Sequence, residues 1–100
     1  MFSLNNFAEY EVMFVVDSAL EAEEVANVVE KFKGLISSNG EIKNIDEWGK
    51  RKFAYPINHK TEGNYYIITF TAPPQFPAEL ERIFRITDSI VRFLIINKNK

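Results

Sequence analysis

From Glu9 to Val16 apolar and polar positions alternate, with Tyr10, Val12, Phe14 and Val16 on one face and Glu11, Met13 and Val15 on the other. A period of two, with frequent β-branched residues, predicts a strand. The period then changes. Val25, Val28, Val29, Phe32, Leu35 and Ile36 recur at spacings of three and four, a stripe one helix face wide. Ahead of the stripe, Ser18-Ala19-Leu20-Glu21 has the spacing of a capping box, in which Ser18 and Glu21 satisfy each other's free amides. Behind it, Asn39-Gly40 offers a left-handed stop. A helix over about Ala19–Ser38 follows.

Glu41–Ile57 reads as extended, interrupted at Gly49 by a bulge or bend. Pro56 cannot donate to a ladder, so this strand belongs at a sheet edge. Polar residues from Asn58 to Asn64 predict a turn, and Tyr65–Ala72 a third strand forming an antiparallel hairpin with the second. Pro73-Pro74 ends it. Pro77 suits the first turn of a second helix, with Glu79 and Glu81 toward its positive end, Arg82 and Arg85 toward its negative end, and Leu80, Ile83 and Phe84 on its buried face. Ile90–Ile96 is a nearly apolar last strand broken by Arg92, and Asn97–Lys100 a polar tail.

The order strand, helix, strand, strand, helix, strand is the split βαβ, or ferredoxin-like, arrangement of the α+β class. Right-handed crossovers place both helices on one face of a four-stranded antiparallel sheet of order 4-1-3-2, leaving the other face open to a partner. Val12, Phe14, Val28, Phe32, Leu80 and Ile83 are expected in one core between helices and sheet. Residues 10–97 form the single domain, preceded by an extension over 1–9 and followed by the tail 98–100.

Composition narrows the chemistry. With 100 residues, 46% hydrophobic, there is room for one domain that buries about two thirds of its unfolded surface. No run approaches the ~20 apolar residues of a membrane span. The first ten residues lack the basic start of a secretory signal and the Arg-rich pattern of a transit peptide, so a cytoplasmic site is expected. Zero cysteines exclude disulfides, thiolate metal sites and cysteine nucleophiles, and a single histidine excludes a His-based cage within one chain. No cofactor or small-molecule substrate is therefore expected. His59, the one side chain that titrates near neutrality, falls in the hairpin turn with no triad pattern around it. The adjacent pairs Glu23-Glu24 and Asp46-Glu47 diverge in direction, and the four glycines are too scattered for a phosphate loop.

The formal net charge of −2 hides an asymmetry. Residues 1–47 hold three Lys against ten acids, a charge of −7, and residues 48–100 hold nine Lys or Arg against four acids, a charge of +5. A partner feels the field within about one Debye length, ~8 to 10 Å, so the basic half could meet an anionic polymer. Lys50-Arg51-Lys52 is the densest basic run. On a strand Lys50 and Lys52 point one way and Arg51 the other, with Phe53 and Tyr55. Charges there could contact RNA or serve only to block edge-to-edge strand pairing. Glu62-Gly63-Asn64-Tyr65-Tyr66-Ile67-Ile68-Thr69 fits the aromatic signature of RNA-recognition motifs poorly, having an acid where a basic residue belongs, and its tyrosines read as strand packing residues.

Tyr10-Glu11-Val12, Gly40-Glu41-Ile42, Trp48-Gly49-Lys50-Arg51-Lys52-Phe53-Ala54-Tyr55-Pro56-Ile57, Glu62-Gly63-x-Tyr65, and Arg85-Ile86-Thr87-Asp88 with Arg92 stand in an order and spacing that resembles the bacterial small-subunit ribosomal protein six family over residues 10–97. That resemblance implies a non-enzymatic ribosomal protein that pairs with small-subunit ribosomal protein eighteen and binds the central domain of 16S ribosomal RNA during assembly. Combining the basic half with family-like positions, the expected RNA contacts are Lys50, Lys52, Arg85 and Arg92, with Arg51 as a further candidate. Members commonly begin almost at the tyrosine with a basic residue before it. Here Ala8-Glu9 precede Tyr10, so no contact is carried over from that position, nor any role of longer acidic tails. The competing readings are a free-standing single-stranded RNA binder of this topology and a small enzyme such as an acylphosphatase. The latter calls for an arginine-bearing loop where this chain has Asp17-Ser18.

Overall fold

In the computed structural model the elements run β1 (Ala8–Asp17), α1 (Ala22–Asn39), β2 (Glu41–Ile57), β3 (Lys60–Ala72), α2 (Phe76–Arg85) and β4 (Ile90–Asn97). The structure describes the backbone of residues 7–57 and 60–98 and the side chains of 7–52 and 62–98. His59 and most of the N-terminal extension lie outside the described residues. All pairings are antiparallel and the strand order is β2-β3-β1-β4, the expected ferredoxin-like sheet with β2 at one edge and β4 at the other.

The alternation in β1 sets the two faces. Tyr10, Val12, Phe14 and Val16 are buried against both helices, whose stripes contribute Val25, Val29, Phe32 and Ile36 from α1 and Phe76, Leu80 and Phe84 from α2. Aromatic rings form the centre of this layer. Phe32 stacks on Phe84 with ring centroids 4.2 Å apart, Phe84 on Phe93 at 5.1 Å, and Phe14 lies 5.7 Å from Phe32. Of the six expected core residues, Val12, Phe14, Phe32 and Leu80 are fully buried, whereas Val28 and Ile83 are half-buried at the margins of their helical stripes.

Several boundaries differ from the sequence reading for local reasons. Helix α1 starts at Ala22, not Ala19, because Asp17 makes a turn of its own: its Oδ1 accepts the Ala19 amide at 2.9 Å and its carbonyl the Leu20 amide at 3.3 Å. Glu21 becomes the cap residue, and the Glu24 carboxylate accepts its amide at 3.1 Å. Ser18 instead donates its hydroxyl to the Glu62 carbonyl at 3.2 Å, tying the β1 exit to the hairpin. Gly40 is extended, with φ −166°, and not left-handed. A Cβ there would stand 2.0 Å from the Thr71 carbonyl oxygen, so close approach of β3, not a turn, demands glycine. Strand β3 begins at Lys60, five residues before the expected start, since the hairpin stays paired through Lys52–Glu62 and Ile57–Lys60. Asn97 pairs with Tyr10 as part of β4 and the Lys98 amide donates to the Glu9 carbonyl, which extends the domain into the expected tail.

Candidate nucleic-acid interface

The placement of the basic run follows from one residue. Gly49 has φ +78°, a conformation costly for other residues, and the β2–β3 register slips between Glu47 and Gly49. Uninterrupted alternation would put Trp48 and Lys50 on one face. The bulge reverses this: Lys50 lines a cavity of about 440 Å³ beneath α1 with Glu47, Val25, Val29 and Tyr66, while Arg51 joins Trp48 and Tyr65 on the open face. Lys52, opposite Glu62 in the ladder, alternates back to the Lys50 side. Burial, followed by the nearby Glu47 carboxylate, raises the pKa of the Tyr66 phenol in that cavity.

The other two expected contacts lie elsewhere. Arg92 pairs in register with Val15 and Phe93 faces the helices, so Arg92 is on the open face at the β4 edge. Three strand spacings separate that edge from β2, about 14 Å. Arg85 ends α2, on the helical side, where its guanidinium is ion-paired with Glu81. Its neighbour Arg82 is held by Glu79 at 2.6 Å, a hydrogen bond that lowers the Glu79 pKa. Both pairs are exposed and contribute little to stability. Among the described residues, Lys50, Arg51, Lys52 and Arg92 take part in no ion pair. The five cations thus occupy three surfaces: the α1 side of the β2 edge, the open sheet face, and the end of α2.

The open face changes character along the strands. Its central rows carry Asp46, Ile67, Met13 and Leu94, then Asn44, Thr69, Glu11 and Ile96, with Glu41, Thr71 and Glu9 beyond them. At the hairpin end stand Tyr65, Val15 and Arg92, with Trp48 stacked on Tyr65 at 6.4 Å and 19°. The Arg51 guanidinium carbon lies 5.8 Å from the Trp48 ring centroid. Tyr65, expected from the sequence as a strand packing residue, is half of an aromatic pair on the open face. The signal was present in Gly49, whose bulge brings Trp48 and Arg51 to one face.

Among the described residues no helix is long and apolar enough to cross a membrane, and no three His, Asp or Glu side chains converge as a metal site. The Arg85-Ile86-Thr87-Asp88 segment is a turn, in which the Thr87 hydroxyl donates to the Ile83 carbonyl at 2.6 Å and the Thr87 carbonyl accepts the Ile90 amide at 3.1 Å.

Comparison with known proteins gives consistent matches over nearly the whole chain. The family described as ribosomal protein S6 matches residues 9–97. The small ribosomal subunit protein bS6 of Clostridium novyi is 49% identical over 92 residues, 91% of this chain and 97% of the relative. The protein of the same name from Caldanaerobacter subterraneus subsp. tengcongensis is 51% identical over 88 residues, 87% of this chain and 93% of the relative. A crystal structure of the 30S ribosomal protein S6 from Thermotoga maritima superposes with a TM-score of 0.89 at 35% identity, covering 93% of this chain and 89% of that one.

Proposed function

The chain belongs to the ribosomal protein S6 family and is a structural protein of the small ribosomal subunit, and from that premise we propose that it binds 16S ribosomal RNA jointly with small-subunit ribosomal protein eighteen during assembly. The observation that carries this reading is the family match across residues 9–97, which takes in every basic position considered above. Lys50 and Lys52 at the β2 edge and Arg51 and Arg92 on the open face are the RNA contacts of the proposal. Arg85 joins them at the cost of its ion pair with Glu81. Phosphate contacts would supply most of the affinity and RNA shape most of the selectivity. A charge of −7 on residues 1–47 opposes approach of a polyanion, so a basic protein partner completes the binding surface.

Co-sedimentation of the native protein with small ribosomal subunits tests the reading. Recovery in the small-subunit fraction is the expected result. A protein that stays at the top of the gradient and binds single-stranded RNA unaided would favour the free-standing RNA-binding module instead.

A further inference from the structure

Trp48 is 50% exposed, although a fully formed apolar core lies one sheet thickness away. Its indole rests on Tyr65, and these two rings with Arg51 line a concavity of about 380 Å³ on the face that no helix covers. A flat aromatic floor beside a planar cation suits one kind of guest: an unpaired nucleobase, which stacks on an aromatic ring or a guanidinium plane while its phosphate meets the positive charge. We propose that the Trp48–Tyr65–Arg51 patch takes one splayed-out base of the bound RNA, stacked on the indole, with Arg51 against the base or its phosphate. The inference rests on the RNA-binding reading above.

The surroundings favour a nucleotide over an apolar protein segment. Among the described residues the patch lining holds a cation and no carboxylate, and Arg92 stands two ladder positions from Tyr65 in the same row, across Val15. Asp46 and Asp17 hold neighbouring positions on this face, the latter turned to the Ala19 amide. The aliphatic positions a protein segment would use, Ile67, Met13, Leu94 and Ile96, lie farther along the strands.

Trp48 is the sole tryptophan, so its fluorescence reports on this patch alone. The full-length protein is titrated with a 16S ribosomal RNA central-domain fragment, with and without protein eighteen. Stacking is expected to quench the emission at the stoichiometric point. Trp48→Ala is expected to weaken binding by about 5- to 150-fold without altering the salt slope, and Trp48→Phe to keep part of the affinity. Far-UV circular dichroism checks that each variant is folded. RNA binding with unchanged emission and an unchanged Trp48→Ala affinity would overturn the patch while leaving the RNA-binding reading in place. Quenching by protein eighteen alone, with no further change on adding RNA, would make the patch a protein contact and overturn the proposal. If the parent protein binds no RNA in either titration, the broader reading fails and the patch with it.

Discussion

Replacing Phe32 with alanine removes the side chain on which both helices and the sheet converge. The ring is fully buried, stacks on Phe84 at 4.2 Å and 16°, and lies 5.7 Å from Phe14. Phenylalanine-to-alanine truncations in cores cost about 3 to 5 kcal/mol, and loss of close ring contacts places this site toward the upper part of that range. Set against a total stability of about 5 to 15 kcal/mol, this is a large share. With a urea m-value of about 1 to 3 kcal/mol per M, a loss of about 4 kcal/mol lowers the unfolding midpoint by roughly 1.3 to 4 M. Urea titration followed by circular dichroism at 222 nm measures it, with Phe32→Leu as the milder variant should the alanine form not fold. Half-buried Val28 is the internal control, and Val28→Ala is expected to cost about 1 kcal/mol. A Phe32→Ala loss below about 1 kcal/mol, or one equal to that of Val28→Ala, would refute the assignment of Phe32 to the centre of the core.

Other expectations follow from single positions. Gly40→Ala sets a Cβ against the Thr71 carbonyl and should lower stability by about 1 to 3 kcal/mol, whereas Gly34→Ala, in α1 with open space around it, should raise stability by about 0.5 to 1 kcal/mol; thermal unfolding of the two variants compares them directly. Because burial in the folded state raises the Tyr66 pKa above that of an ordinary tyrosine phenol, the stabilisation tied to the neutral phenol is fully present below the ordinary value and is lost as pH rises through the folded pKa. In an ultraviolet titration of the tyrosines, Tyr66→Phe should therefore remove a late-ionising component, and loss of an early one instead would contradict the burial described. Lys50→Ala and Arg92→Ala should each reduce the magnitude of the log K against log salt slope for RNA binding by about 0.7 to 0.9. A charge serving only to block strand pairing would leave that slope unchanged and raise self-association when removed, as seen by sedimentation.

Periodicity made the fold readable. The switch from a period of two at Tyr10–Val16 to three-four spacing at Val25–Ile36 and back reflects burial of one face per element, which is a local property of the chain. Pro56 likewise placed β2 at an edge. The misplaced boundaries involve competition between local hydrogen bonds and distant ones: Ser18 has the right spacing for a cap, yet its hydroxyl goes to Glu62, forty-four residues away. Gly40 looked like a turn residue because the chain leaves a helix there, and only the approach of Thr71 reveals why it is small. At the candidate interface the basic run was evident, but its division between faces depends on how many residues the Gly49 bulge absorbs. That count is set by pairing with Tyr65 and Tyr66 on another strand. Arg85 and Arg92 are close in sequence, yet the chain turns at Thr87 and sends one to the helical layer and the other to the open face.

The most direct test of the central claim is an equilibrium titration of the 16S ribosomal RNA central-domain fragment with this protein, alone and with protein eighteen present, at one fixed salt concentration. Weak binding alone and tighter binding with the partner are expected, because the acidic half of the chain opposes an association that the proposed contacts Lys50, Lys52, Arg51 and Arg92 would favour. Equal affinity in the two titrations would contradict it, placing the whole RNA site on this chain.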